Sequence, residues 1–235
     1  MAKNDFEWRQ RLFPPLLNCN TPFSPNIALY HPTRLEDMKP EIKSLVQFAH
    51  FGNDKEGRPI YWEKTGVISA NFAELKKHFT VDELLFFHVQ SQELFEVRYK
   101  HASEVFKKPI HQSVVVFDLK DLNMSLDFGA ISYMKSMLGI DQNYYPERLA
   151  KLFILNVPWF FSAIFSIFKP FIDQKTLSKF VLLGSDYMTT LEEFIDRSEI
   201  PVEVNCQCYF AVVYFQVFMC MLCVVCYFCV DGRGC

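Results

Sequence analysis

Cysteine is the residue type that most invites a chemical role in this chain. Seven of the eight copies (Cys206, Cys208, Cys220, Cys223, Cys226, Cys229 and Cys235) crowd the last 30 residues, and Cys19 stands alone. Four of them, Cys220, Cys223, Cys226 and Cys229, recur at every third position, and closely spaced thiolates are ligands for zinc and iron–sulfur centres. The pairs between them are Met-Leu, Val-Val and Tyr-Phe, with no glycine or turn to wrap a metal. The same spacing simply repeats along one helix face. We therefore expect no metal and no cofactor. The six histidines (His31, His50, His78, His88, His101, His111) show no paired ligand spacing, and a lone histidine such as His50 reads first as a structural residue. No GxSxG, HExxH or P-loop GK[ST] pattern occurs, so the sequence points away from an enzyme.

Composition narrows the partners. The 235 residues carry 24 Lys+Arg against 27 Asp+Glu, a net charge of −3. There is no basic excess to hold a polyanion, so no nucleic-acid partner is expected. Half the residues are hydrophobic, which excludes a wholly disordered chain. Phenylalanine is abundant at 25 copies, enough either to fill a core or to line a large cavity. The stretch between Asn20 and Asn205 is free of cysteine, which suits a reducing, cytoplasmic setting. The N-terminus lacks a signal pattern.

Three zones must position whatever chemistry exists. Residues 1–40 hold six of the twelve prolines and read as a loosely structured leader with a short helix near Asp5–Leu12. Residues 41–203 alternate strand and helix signals. Ile60–Glu63 follows a turn at Asp54–Pro59. Thr80-Val81-Asp82-Glu83 is a capping box that starts a helix running to about Tyr99. Ser113–Asp118 is a continuous apolar run, as in a strand buried on both faces. A helix follows near Leu126–Leu138, and Pro146 suits the first position of another short one. Lys151–Val157 and Lys179–Leu183 read as strands. Ser185 reads as the cap of a last helix, with Tyr187, Met188, Leu191, Phe194 and Ile195 on one face. Alternating units of this kind predict an α/β domain with a mixed, mostly parallel sheet.

One segment is too greasy for an ordinary surface helix. Residues 152–168 carry no charge, but Pro158 splits them into strand and helix, which argues against a membrane span. Pro158–Ile172 carries Trp159, Phe160, Phe161, Ile164, Phe165, Ile167, Phe168, Phe171 and Ile172, covering nearly every face of a helix. Such a helix is either buried in a core or shows apolar surface to a lipid or a membrane. Residues 204–230 are also free of charge. A helix of that length spans ~40 Å, which exceeds the ~30 Å of a bilayer core. This Cys-rich tail reads as a tail anchor with residues 231–235 as a short terminus, or as an end without a defined role.

Taken in order, Asp54–Glu63 (DKEGRPIYWE), Tyr144–Leu149 (YYPERL), Phe168–Ile172 (FKPFI), Thr176–Lys179 (TLSK) and Ile200–Glu203 (IPVE) make residues 41–203 resemble the Sec14-like (CRAL-TRIO) lipid-binding family. That resemblance implies a sheet flooring an apolar pocket, closed by Pro158–Ile172 as a gate, with Trp159, Phe160, Phe161, Phe165, Phe168 and Phe171 serving the gate and the acyl chains. It implies binding and transfer of phospholipid between membranes, without a cofactor or covalent chemistry, and presentation of lipid to lipid-modifying enzymes.

For the phosphatidylinositol headgroup, Glu147, Arg148, Thr176 and Lys179 match the family's residues. An ammonium suits a phosphodiester, a hydroxyl adds a neutral donor, and Glu147 can accept inositol hydroxyls. Read alone, Glu147-Arg148 is also what a first helical turn would carry. For the phosphatidylcholine headgroup Ser113 matches, but Val115 replaces the hydroxyl expected two residues on. The family's N-terminal helical module is not seen in residues 1–40, and the likeness stops after Glu203, as in a C-terminally truncated domain. The expected partners are a phospholipid ligand and a membrane surface, for a monomer either peripheral to membranes or tail-anchored. The alternative is a membrane-tethered interaction protein whose pocket is vestigial or takes another hydrophobic ligand.

Overall fold

The computed structural model describes residues 45–124 and 127–201. Both the leader and the Cys-rich tail, with every cysteine and the expected short helix and membrane span, lie outside the described residues. Among the described residues no helix is long and apolar enough to cross a membrane, and no cluster of His, Cys, Asp and Glu could hold a metal.

The elements in chain order are β1 (Phe48–Asn53), β2 (Pro59–Glu63), α1 (Thr65–Ala70), α2 (Phe72–His78), α3 (Val81–Phe106), β3 (Ser113–Asp118), α4 (Phe128–Tyr144), β4 (Leu149–Leu155), α5 (Phe161–Phe168), a 3-10 turn at Lys169–Phe171, α6 (Gln174–Leu177), β5 (Phe180–Leu182), α7 (Met188–Phe194) and a 3-10 turn at Arg197–Glu199. The five strands lie side by side in sequence order. β1 pairs antiparallel with β2, and β2, β3, β4 and β5 are mutually parallel. The expected mixed, mostly parallel sheet is therefore present.

Several boundaries differ from expectation for visible reasons. The capping box at Thr80 forms as predicted, with the Glu83 amide donating to Thr80 and the Glu83 carboxylate accepting from the Thr80 amide. Its helix continues past Tyr99 to Phe106 and stops where Lys107 turns left-handed at φ 52°. Pro146 does not start a helix. The chain turns through Glu147 at φ 62°, and the Arg148 carbonyl already accepts from the Ser113 amide at 2.9 Å, which commits the next residue to the sheet. β4 thus starts at Leu149 and ends at Leu155, before Asn156 at φ 53°. Ser185 is not a cap; the last helix starts at Met188, with Tyr187 in the capping position. β1, α1 and α2 were not foreseen.

The two faces of the sheet are packed very differently. On one face Ile60, Trp62, Val114, Val116, Phe153 and Leu155 form a closed core with Leu191 and Ile195 from α7 and its end. Val114 and Val116 are 0% and 1% exposed. On the other face Val115 and Phe117 keep accessible surface, although they sit in the middle strand of five. Side chains alternate along a strand, so one strand reports both faces. The second face is less completely covered: Val115 and Phe117 are partly exposed, while Leu152 and Ile154 beside them are buried at 7% and 5% in a cluster with Phe161 of α5.

Candidate functional site

α5 faces the loose side of the sheet. Phe161 and Phe168 are buried at 8% and 4% exposure. Phe165 stacks on Phe161 with ring centroids 5.5 Å apart and lies 6.0 Å from Phe180 of β5. Phe161 also packs with Leu152 and Ile154 in one cluster that Val115 and Phe117 join. The outward side of the helix carries Ser162, Ala163, Ser166 and Ile167. The helix is thus one-sided, not apolar all round. The apparent ring of aromatics arose from counting Trp159, Phe160 and Phe171, which lie beyond its ends. Trp159 is 83% exposed and packs edge-on against half-buried Phe160, and Phe171 is 48% exposed.

The polar candidates gather at the amino ends of β3, β4 and β5. The left-handed turn presents the Glu147 carboxylate to two ammonium groups, Lys175 at 2.7 Å and Lys179 at 3.7 Å. The hydrogen bond from Lys175 holds the Glu147 carboxyl below the usual glutamate range, helped by the charge of Lys179. Lys179 is mostly shielded, its side chain 15% exposed, whereas Lys175 is 68% exposed. Thr176 stands one helical turn before Lys179, whose amide donates to the Thr176 carbonyl at 3.0 Å. Its hydroxyl donates to Asp173 at 2.6 Å, and Asp173 in turn caps α6 through the Thr176 amide.

Arg148 goes elsewhere. Its guanidinium binds Glu96 of α3 at 2.7 Å, donates to the His111 carbonyl at 3.2 Å, and lies 5.4 Å from the centre of the Tyr99 ring. Ser113 is buried and accepts from the Tyr99 hydroxyl at 3.1 Å. So Glu147 and Lys179 come together with Thr176 close by, while Arg148 and Ser113 belong to a bracing network between α3 and the sheet.

Sequence reasoning missed Lys175. Its position four residues before Lys179, on one helical turn, was the available signal. It also missed a polar group on the loose face. Glu63 accepts from Tyr61 at 2.8 Å and from Thr65 at 2.9 Å. Across from it, His88 of α3 contacts Asp141 of α4 at 2.7 Å, and Gln92 donates to the same oxygen at 2.8 Å. Burial pushes the Glu63 carboxyl up, against the hydrogen bonds it receives. Burial pulls the His88 imidazole down, but Asp141 and then Glu63 outweigh it and raise the pKa. Tyr61 and Glu63 alternate on one side of β2, so their shared face was readable.

A five-stranded, mostly parallel sheet with one closed and one loose face, and a phenylalanine-rich helix over the loose one, defines the architecture. It is shared with a chain in the crystal structure of Sfh5, at a TM-score of 0.57 and 22% identity, covering 83% of this chain and 62% of that one. The CRAL/TRIO domain family matches residues 43–205, and the chain belongs to that family.

Curated relatives include the SEC14 cytosolic factor of Candida glabrata, 34% identical over 166 residues, covering 70% of this chain and 54% of the relative. The SEC14 cytosolic factor of Eremothecium gossypii is 36% identical over 181 residues, covering 74% and 58%. The phosphatidylinositol/phosphatidylcholine transfer protein SFH7 of Arabidopsis thaliana is 36% identical over 168 residues, covering 71% and 30%. The chain spans little more than half the length of the two SEC14 factors, and less of SFH7.

Proposed function

We propose that this protein binds a phospholipid and transfers it between membranes, with phosphatidylinositol as the favoured headgroup, and that it does so without covalent catalysis. One observation carries the reading: the central strand β3 is sealed on one side by Val114 and Val116 and left accessible on the other at Val115 and Phe117, under α5. Acyl chains would cover such partly exposed apolar side chains, each buried CH₂ contributing about 0.8 kcal/mol. The printed names of the relatives, cytosolic factors and a phosphatidylinositol/phosphatidylcholine transfer protein, support the same ligand class and a cytosolic carrier meeting membranes at their surface.

In this reading α5 is the gate, and the polar end of the lipid meets Lys179. The ammonium supplies a point charge to the phosphodiester, and Lys175 adds a second beside it. Glu147, held ionised by the two lysines, accepts inositol hydroxyls and keeps the empty site from carrying a bare charge pair. Thr176 offers its hydroxyl oxygen at the same rim. Residues 41–203 form the lipid-binding unit.

The test is direct. The full chain is purified, its bound lipid extracted and identified by mass spectrometry, and transfer of labelled phosphatidylinositol between vesicles measured. The expected result is co-purifying phospholipid and measurable transfer. A protein with neither would instead match the alternative of an interaction protein with a vestigial pocket.

A further inference from the structure

The two halves of α4 are held in place by different means. The amino half is packed: Ala130 joins the buried cluster of Phe72, Leu75, Phe79 and Leu84, and the Tyr133 ring stands 5.5 Å from that of Phe72. Among the described residues, no side chain of 134–144 joins a buried cluster, and Met134, Met137, Leu138 and Ile140 are all half-buried. The ties of this half are polar instead. Asp141 Oδ1 accepts from Gln92 of α3 at 2.8 Å and meets His88 Nε2 of the same helix at 2.7 Å. Gln142 donates to the Phe171 carbonyl, and Tyr145, which closes the helix, donates to Glu93 of α3 at 2.7 Å. Gly139 lies in the middle of this half, and a Cβ added there would meet no atom within 4 Å. Close packing therefore does not require a glycine at 139; its effect is to weaken the helix. A segment held by hydrogen bonds more than by burial opens before the rest of a fold.

We propose that residues 134–144 are a movable wall beside the less covered face of the sheet, latched to α3 through Asp141, and that loss of the His88 proton releases the latch. Two carboxylates act on His88: Asp141 of α4 by direct contact and Glu63 of β2 through its charge. Their attraction keeps the proton on above the ordinary histidine range. Tyr61 and Tyr133, the phenols coupled to Glu63, stay neutral because burial pushes their pKa values up. His50 of β1 meets α3 three residues further along, at Ser91, 2.7 Å away. Protonated, His88 binds α3 to α4 through an ion pair. Once the proton leaves, that pair becomes a neutral hydrogen bond, and Asp141 and Glu63 keep like charges with no cation to share.

The latch has a direction. The wall is closed on the acid side of the His88 transition and yields on the alkaline side. Gly139 makes the yielding easy, and the unbranched side chains of Met134 and Met137 suit a surface that repacks. For a lipid carrier, such a wall gives acyl chains room to shift without movement of α5. That purpose rests on the lipid-carrier reading; the latch itself does not.

Hydrogen exchange on the full chain tests this, at about pH 6 and about pH 9, on either side of the histidine range, with protection taken relative to the intrinsic rate at each pH. Amides at 134–144 should exchange faster than those of β3 at 113–118. Low urea should leave 134–144 unchanged while it speeds 113–118, because a local opening exposes little surface. From the acid to the alkaline condition, protection at 134–144 should fall about tenfold, the scale of one charge-assisted hydrogen bond. His88→Gln should exchange at both pH values as the wild type does at the alkaline one. Asp141→Asn removes the same ion pair from the more exposed partner and should do likewise. Gly139→Ala should raise protection at 134–144 about fivefold at both pH values.

Exchange of 134–144 only together with 113–118, with the same urea dependence, overturns the movable wall. Equal protection at the two pH values, or a wild-type pH response in His88→Gln or Asp141→Asn, overturns the latch. Transfer of labelled phosphatidylinositol is scored separately: its absence overturns the carrier reading alone, since the exchange measurement needs no lipid.

Discussion

Glu147 and Arg148 are adjacent in the chain but serve different parts of the molecule. The carboxylate turns to Lys175 and Lys179 beside α6, at 2.7 and 3.7 Å, and the guanidinium turns to Glu96 of α3 at 2.7 Å. The positive φ of Glu147 makes the divergence, because it reverses the chain between α4 and β4. If Glu147 and Lys179 form the proposed headgroup site, the pair divides a recognition role from a bracing role, and the two can be separated by mutation.

Lys179→Ala should lower phosphatidylinositol transfer about 10- to 100-fold, the scale of one lost charge-assisted hydrogen bond. Its side chain meets Glu147 at the rim and not in the closed core, so the thermal melt should barely move. Transfer of labelled lipid between vesicles measures the first, and circular dichroism the second. Equal transfer by variant and wild type would remove Lys179 from the headgroup site.

Arg148→Ala should behave in the opposite way. It loses the Glu96 ion pair, the bond to the His111 carbonyl and the contact with Tyr99. We expect a loss of about 1–2 kcal/mol in denaturant stability. Arg148→Lys should recover little, since an ammonium cannot bridge carboxylate, carbonyl and ring at once. A variant with wild-type stability and lost phosphatidylinositol transfer would reassign Arg148 to the ligand.

The two faces of β3 predict unequal mutational costs. Val116→Ala opens a void in the closed core and should cost about 2 kcal/mol. Val115→Ala, on the loose face, should cost well under half of that. Val115→Thr adds a hydroxyl on the same side as Ser113 and should raise phosphatidylcholine transfer relative to phosphatidylinositol, by up to about tenfold for one neutral hydrogen bond. Equal losses at Val115 and Val116 would mean that both faces are filled.

Stability should fall as pH rises above about 5. Glu63 and His88 both have raised pKa values in the folded chain, so the folded protein holds protons that the unfolded chain releases. Their contribution is full below the unfolded values, about 4.3 for glutamate and 6.5 for histidine, and is lost as pH rises through the folded ones. Glu74, Asp127, Glu147 and Asp173 are shifted down, so their contribution disappears only at the acid end. Denaturant midpoints between about pH 5 and 8 measure the slope. Glu63→Gln should flatten its lower part and His88→Gln its upper part; a midpoint that climbs with pH across this interval contradicts the assignment.

Much of this architecture was legible in residue patterns because local signals agreed with it. Thr80 and Glu83 announce a helix start through side chains only three residues apart, and the apolar run Ser113–Asp118 announces a strand, although burial on both faces fails at Val115 and Phe117. Pro146 misled because its fixed φ suits a first helical turn equally well as a tight turn, and only the commitment of Arg148 to β3 decides between them. α5 misled because a wheel drawn over Pro158–Ile172 assumes one continuous helix, whereas the α-helix covers Phe161–Phe168 alone. The family likeness named Glu147, Thr176 and Lys179 as candidates, and the fold brings them near one another. The departure of Arg148 toward Glu96, 52 positions away in the chain, depends on a long-range contact that no local pattern encodes.

On the lipid-carrier reading, the partly exposed side of β3 also bears on how the protein survives without its ligand. A domain whose middle strand keeps partly exposed Val115 and Phe117 on one face has a core that a lipid's tails would complete. Lipid would then act as scaffold as well as cargo, and an unloaded copy would unfold and be degraded sooner than a loaded one. Cellular abundance would accordingly track the supply of the proposed lipid.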